Sequence, residues 1–167
     1  MSDIHALDEY WMARALALAA QAGQLDEVPV GAIVVRDGRE LGVGYNAPIT
    51  GCDPTAHAEV RALRDAAARA GNYRLSGATL YVTLEPCTMC VGAIVHSRIS
   101  RIVYGAQEPK AGAVESARRT LEEPFLNWQV EAVGGVLADE CGQIISDFFS
   151  RRRKEIRRQR KQYSGKE

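Results

Sequence analysis

Two thiols three residues apart, Cys87 and Cys90, directly follow Pro86 and the apolar run Ala78-Thr79-Leu80-Tyr81-Val82-Thr83-Leu84. The run has the β-branched and aromatic content of a buried strand, and a proline suits the first turn of a helix. The spacing therefore predicts a strand that turns straight into a helix running from Pro86 to about His96. Both sulfurs then lie within one helical turn, close enough to bind a single ion, and the partial positive charge of the helix start favours their thiolate forms.

The remaining chain reads as further strands and helices. Leu7, Trp11, Ala15, Leu18 and Ala22 recur at helical spacing and stop at Gly23. Val28 to Val35 is a strand, Asp37-Gly38 a turn, and Glu40 to Tyr45 the returning arm of a hairpin. After a loop from Asn46 to Asp53, Asp53-Pro54 reads as a cap and first helical residue of an alanine-rich helix ending near Ala70, before Gly71. Arg101 to Gly105 and Trp128 to Val133 are two more strands, the second weak. A long last helix, about 137–162, places Leu137, Cys141, Ile144, Ile145, Phe148 and Phe149 on one face. Strands alternating with helices after a hairpin imply an α/β fold with a mixed sheet covered on both faces. With 167 residues, 46% of them hydrophobic, the chain is the size of a single domain, 1–167.

A Cys-x-x-Cys pair needs a third ligand from elsewhere, and His57, predicted near a second helix start, is the best candidate. Three protein ligands leave the fourth tetrahedral position open, as in a catalytic zinc site. Glu59 stands two residues from His57 with a carboxylate free to act as a base. Zinc lowers the pKa of water to ~7, so such a carboxylate can shuttle protons at neutral pH during attack on an amine-bearing ring carbon. Two other readings compete. A Cys-x-x-Cys between strand and helix is also a thioredoxin-type redox arrangement, which His57-Ala58-Glu59 argues against. A closed structural zinc would need a fourth ligand from His96, Cys52 or Cys141, and would have no use for Glu59.

Charge is unevenly spread. Up to Ser150 there are 12 basic and 19 acidic residues, and after it 9 and 2, eight of the basic ones between Arg151 and Lys161. Arg151, Arg152 and Arg153 open this block, which is either a solvated helical face or a phosphate-binding surface. Phe148 and Phe149 beside it could stack on splayed bases or pack in the core. No stretch reaches the ~18 apolar residues of a membrane span, and the start lacks a signal-peptide pattern, so the expectation is a cytoplasmic protein with Cys52 and Cys141 as free thiols.

His57-Ala58-Glu59 with Pro86-Cys87-Thr88-Met89-Cys90 resembles the His-x-Glu and Pro-Cys-x-x-Cys signature of the zinc nucleobase deaminases. Within them the chain is similar to the bacterial tRNA adenosine deaminases. That likeness is carried over nearly its whole length by Glu27 to Ala32, Asn46, Asp53 to Glu59, Asn72 to Leu75, Ala78 to Cys90, His96 to Ile99, Leu137 to Cys141 and Ser146 to Phe149. It departs at Glu108, where the family loop commonly carries aspartate. The resemblance implies a cytidine-deaminase-like three-layer α/β/α fold with a central five-stranded mixed sheet. It also implies one Zn2+ per chain, a homodimer, and conversion of adenosine to inosine at the wobble position of a tRNA anticodon, usually of an arginine tRNA. By the same match Asn46 contacts the target base, Ala58 and Cys87 offer backbone amides near it, and Phe148, Phe149 and Arg151 to Arg153 lie near the anticodon stem-loop. The rival activity is deamination of a free nucleoside or base, cytidine or guanine, which needs the same metal site without a basic extension. A rival of another class is an RNA-binding protein with a structural zinc.

Overall fold

The structure, a computed structural model, describes residues 2–164. Its strands are β1 (Gly31–Arg36), β2 (Arg39–Tyr45), β3 (Thr79–Leu84), β4 (Arg101–Ala106) and β5 (Glu131–Val133), in the sheet order β2-β1-β3-β4-β5. The helices are α1 (Ser2–Gln24), α2 (Ala58–Ala70), α3 (Thr88–His96) and α4 (Ala138–Ser164), with a short 3-10 turn at Thr120–Glu122. Strand β1 is antiparallel to both of its neighbours, and β3, β4 and β5 pair in parallel, so β2 to β5 all point the same way.

Side chains alternate across the sheet with the period of two that a pleated strand imposes. Ala32, Val34, Leu80, Val82, Ile102 and Tyr104 face a core shared with Ala62 and Leu63 of α2 and Val91 and Ile94 of α3. The residues between them, Ile33, Val35, Tyr81 and Val103, face Trp11, Met12 and Ala15 of α1 and Cys141 of α4. The result is the expected three-layer cytidine-deaminase-like α/β/α arrangement on a five-stranded mixed sheet.

Helix α2 lies unusually close to the sheet. Ala58, Ala62 and Ala66, four residues apart, are fully buried, and across from them on β2 are Gly42 and Gly44. A Cβ at Gly44 would stand 2.6 Å from the Ala62 backbone nitrogen, and one at Gly42 would stand 2.6 Å from the Ala62 carbonyl oxygen. Only backbone fits there. The helix ends at Gly71, whose φ of 65° lets its N–H return to the carbonyls of Ala67 and Ala68.

Four sequence expectations need correction. Asp53-Pro54 does not open α2: Asp53 Oδ1 accepts the Thr55 N–H at 2.8 Å in a separate turn, and the helix begins at Ala58. The first strand starts at Gly31 and not at Val28, and the last covers only Glu131–Val133, with Trp128 donating its indole N–H to the Ile99 carbonyl. Helix α1 is rolled by about one residue, burying Met12 and Ala19 and leaving Leu7 48% exposed. The cause is Asp8, which is buried and accepts two hydrogen bonds from the Arg101 guanidinium at 2.8 Å and one from the Tyr81 hydroxyl at 2.9 Å. Burial pushes the Asp8 carboxyl up, but these donors outweigh it and hold it below the usual range. No helix among the described residues is long and apolar enough to cross a membrane.

Replacing Gly44 with alanine should destabilise the protein by about 1–3 kcal/mol, because a methyl group is forced into the backbone of α2. By contrast Gly92→Ala, on α3 with open space around its added Cβ, should be neutral or stabilise by about 0.5–1 kcal/mol. Chemical denaturation of both variants measures the difference; equal effects would mean that the contact between β2 and α2 is not close.

Candidate metal centre and active site

Because β2 and β3 point the same way, the segments leaving their carboxyl ends emerge on one edge of the sheet, where open α/β sheets bind ligands. One segment leads to α2 and the other to α3, and the last residue of each approach carries a metal-binding side chain. His57 and Cys87 are the N-cap residues of the two helices, with extended backbones, and neither side chain caps its own helix. They turn to each other instead. His57 Nδ1 lies 3.6 Å from Cys87 Sγ and 3.5 Å from Cys90 Sγ.

These distances fit zinc. A tetrahedral ion with Zn–S of ~2.3 Å and Zn–N of ~2.0–2.1 Å holds nitrogen and sulfur roughly 3.5–3.6 Å apart. Among the described residues the cluster contains only His57, Cys87 and Cys90, whose ligand atoms all lie within 4.8 Å of one another. Cys52 and His96 are exposed elsewhere, and Cys141 is buried against the position of Gly105. The three-ligand, open-site reading thus matches the donor set, and the closed structural site lacks its fourth side chain.

The hydrogen bonds among the three donors favour the thiolate form of Cys87. A hydrogen bond from Cys90 pulls the Cys87 thiol down to about 4 against the effect of burial, with His57 helping. As that donor, and by burial, Cys90 is pushed well up. His57 is raised, first by its hydrogen bond with Cys87. Glu59, in the first turn of α2, is only 4% exposed, and burial lifts its carboxyl to about 7 despite the nearby imidazole. A carboxylate poised near neutrality is suited to both accept and return a proton.

Asn46 lies at the end of β2. Its Oδ1 accepts the Ala58 N–H at 2.8 Å, the first helical amide of α2. Two of the three expected base contacts are therefore joined: the Ala58 amide is engaged by Asn46, and among the described residues the Asn46 side-chain NH2 has no acceptor.

Sequence reasoning assigned no role to two glutamates that hold the loops around the site. Glu27, 1% exposed, accepts the N–H groups of Ile49 and Thr50 at 2.8 Å each, fixing the loop after Asn46. Glu85, 3% exposed, accepts the N–H groups of Glu108, Val114, Glu115 and Ser116 at 2.8–3.2 Å and the Ser116 hydroxyl. Burial pushes Glu85 up, but these donors hold it below the usual 4.5. Its stabilisation is present above that value and is lost as pH falls through the lower folded one. Their only sequence signal is position, since each directly precedes a proline-bearing segment of the site.

The residues expected near RNA are divided. Phe148 is buried at 8% and Phe149 is 43% exposed, their rings edge-to-face at 5.3 Å, so the first packs in the body and the second is available for stacking. Arg151 lies over Phe148 and pairs with Asp26 at 3.3 Å, Arg152 pairs with Glu155 at 3.5 Å, and Arg153 is exposed. The last helix extends from Ala138 to Ser164, and every residue from Arg151 to Ser164 except Glu155 is exposed.

The pattern of the cytidine and deoxycytidylate deaminase zinc-binding region matches residues 5–106. The tRNA-specific adenosine deaminase of Haemophilus influenzae is 52% identical over 149 residues, covering 89% of this chain and 86% of that protein. A solved structure from work on A-to-I editing by tRNA:A34 deaminases superposes with a TM-score of 0.79 at 46% identity, covering 81% of this chain and 98% of the other. The guanine deaminase of Bacillus subtilis is more distant, with a TM-score of 0.59 at 33% identity, covering 74% and 82%. With its His57, Cys87 and Cys90 donor set and this degree of likeness, the chain belongs to the zinc-binding cytidine and deoxycytidylate deaminase family and, within it, to the tRNA-specific adenosine deaminases.

Proposed function

We propose that this chain is a single-domain, zinc-dependent enzyme that hydrolyses adenosine to inosine and ammonia at the wobble position of a tRNA anticodon, an arginine tRNA above all. It would act as a cytoplasmic homodimer. The observation that carries the chemistry is the buried Glu59 carboxylate beside three zinc donors with an open fourth position. The greater likeness to tRNA deaminases than to guanine deaminase favours the RNA substrate over a free base.

Zinc held by His57, Cys87 and Cys90 would supply Lewis-acid activation of the attacking water. Glu59 takes one proton from that water, passes it to the purine ring nitrogen beside the reacting carbon, and delivers the second to the departing ammonia. Asn46, its oxygen held by the Ala58 amide, offers its NH2 to a ring nitrogen and sets the orientation of the base. Phe149 stacks on a neighbouring base, and the exposed cations from Arg153 onward meet phosphates, with Arg151 and Arg152 joining once their carboxylate partners are released.

Glu59→Gln should lower kcat on an anticodon stem-loop by at least ~10²-fold, with zinc content and RNA affinity kept. Loss of zinc from this variant would make Glu59 a ligand and end the proton-transfer role. In Cys87→Ala zinc should fall well below one per chain by metal analysis; a variant retaining both metal and rate would remove Cys87 from the centre. Truncation after Ser150 removes eight clustered cations. If four of them meet phosphates, the slope of log affinity against log salt should flatten by roughly 3, at ~0.7 per phosphate. An unchanged slope would leave the tail as a solvated helical face.

A further inference from the structure

Residues 46–57 form neither helix nor strand, yet they join the end of β2, where Asn46 stands, to the zinc-binding start of α2. Such a segment keeps one shape only if its backbone N–H groups find acceptors. At its ends the Asn46 N–H goes to the Val30 carbonyl at 3.1 Å, the Ala47 N–H to the Ala56 carbonyl at 3.0 Å, and the Ala58 N–H to Asn46 Oδ1 at 2.8 Å. In the middle the N–H groups of Gly51, Cys52 and Asp53 return to the carbonyls of Ala47, Ile49 and Pro48 at 2.9–3.2 Å, coiling these residues into a turn. Those of Thr55, Ala56 and His57 are taken by Asp53 and Thr55, and Pro48 and Pro54 have none.

Ile49 and Thr50 remain. Nothing within the segment accepts their N–H groups, and both are taken by Glu27 Oε1 at 2.8 Å. Glu27 reaches them from another part of the fold. Its own N–H is bonded to the Ala22 carbonyl at 3.0 Å, at the end of α1, where Leu25 and Asp26 also turn back on Ala22 and Gly23. Its other carboxylate oxygen, Oε2, is buried and meets no hydrogen-bond donor among the described residues. Burying a carboxylate with one oxygen unmatched is costly, and an apolar side chain would fill the same space better. What Glu27 supplies that an apolar residue lacks is an acceptor for two adjacent amides. The turn it holds is seated directly on the residue after Asn46, since a Cβ at Gly51 would come to 2.9 Å from the Ala47 carbonyl oxygen.

We propose that Glu27 is the positioning residue for Asn46: by holding the Ile49 and Thr50 amides it fixes the turn from which Asn46 presents its side-chain NH2 to the base. The proposal rests on the functional reading given above for the role of Asn46. Glu27 acts through Asn46 and does not itself contact the base. With the turn released, Asn46 keeps its chemistry and loses its direction, and a base that enters askew does not offer its reacting edge to Glu59.

The test is a double-variant cycle in the zinc-loaded, full-length protein, with Glu27→Ala, Asn46→Ala and the two combined assayed on the anticodon stem-loop. Each single variant should lower kcat by about 10–100-fold, as for a misplaced substrate, with zinc at one per chain and the far-ultraviolet circular dichroism unchanged. The combined variant should be slower than Asn46→Ala by no more than about 2-fold, because a residue that acts through Asn46 has nothing to hold once Asn46 is gone. Since only Oε1 is used, Glu27→Gln keeps the needed carbonyl acceptor and should retain kcat within about 3-fold of wild type. Should Glu27→Ala fail to fold, Glu27→Asp, one methylene too short to reach the amides, takes its place in the cycle. Losses that multiply in the combined variant would make Glu27 an independent structural support and overturn the proposal, as would a Glu27→Gln variant as slow as Glu27→Ala. A wild-type rate for Asn46→Ala alone would end the reading of Asn46 and the proposal with it, whereas a slow Asn46→Ala with multiplying losses ends the proposal alone.

Discussion

The 3.5 Å between His57 Nδ1 and Cys90 Sγ joins residues 33 apart in the chain, and most of the architecture serves that short distance. Two helix starts have to meet, which requires that the strands feeding them point the same way. Strand β1 makes this possible: inserted antiparallel between β2 and β3, it lets a tight hairpin precede α2 and still leaves β2 and β3 parallel. The depth of α2 is set next. Because Gly42 and Gly44 lack side chains, the alanine face of the helix settles against β2, and its first turn comes to the level of the Cys87 turn. Backbone contacts of this kind are stiff, which is what a metal site with fixed ligand separations needs.

The site is also held from its flanks by two carboxylates that never touch the metal. A buried carboxylate is costly unless its oxygens are satisfied, and Glu85 meets that condition with five donors drawn from the loop it organises. The same ionised group that would be a liability in an apolar core becomes the reason an irregular segment has one conformation. Glu27 does this for the loop after Asn46 with Oε1 alone. Asp8 does it with regular elements, tying α1 to β3 and β4. Three acids that composition counts as surface charge are thus interior fixtures, each accepting from two or more donors.

What could be read in the sequence, and what could not, follows the same physics. The strands and the ligand set were legible because apolar alternation and Cys-x-x-Cys spacing are local signals. The roll of α1 was not, since Leu7 and Met12 are equally plausible core residues until Asp8 finds Arg101, 93 residues away. The start of α2 was misplaced because Asp53-Pro54 carries a genuine capping pattern, which the chain uses in a turn ahead of the helix. Phe148 and Phe149 are indistinguishable in sequence, and only the orientation of α4 makes one a core residue and the other a surface ring. Glu27 and Glu85 had no local signature beyond their place ahead of a proline, because a lone glutamate is usually solvated.

Charge separation along the chain raises a last question, why a protein whose body is net acidic should suit a polyanion. Some of the acids are withdrawn from the surface: Asp8, Glu27, Glu59 and Glu85 are all buried, Asp8 is paired with Arg101, and Glu27 and Glu85 are turned to backbone amides. Several of those nearer the surface are tied up locally, as Asp26 is by Arg151, Glu155 by Arg151 and Arg152, and Glu122 by Arg119. The free positive charge is concentrated on the exposed face of α4, where the cations outnumber the acids. Of these pairs only Arg151–Asp26 ties α4 to the rest of the protein, and all are weak surface pairs, each worth about 1 kcal/mol or less. A phosphate strand can displace them at small cost, so the partly paired cations of the tail join the free ones as binding proceeds.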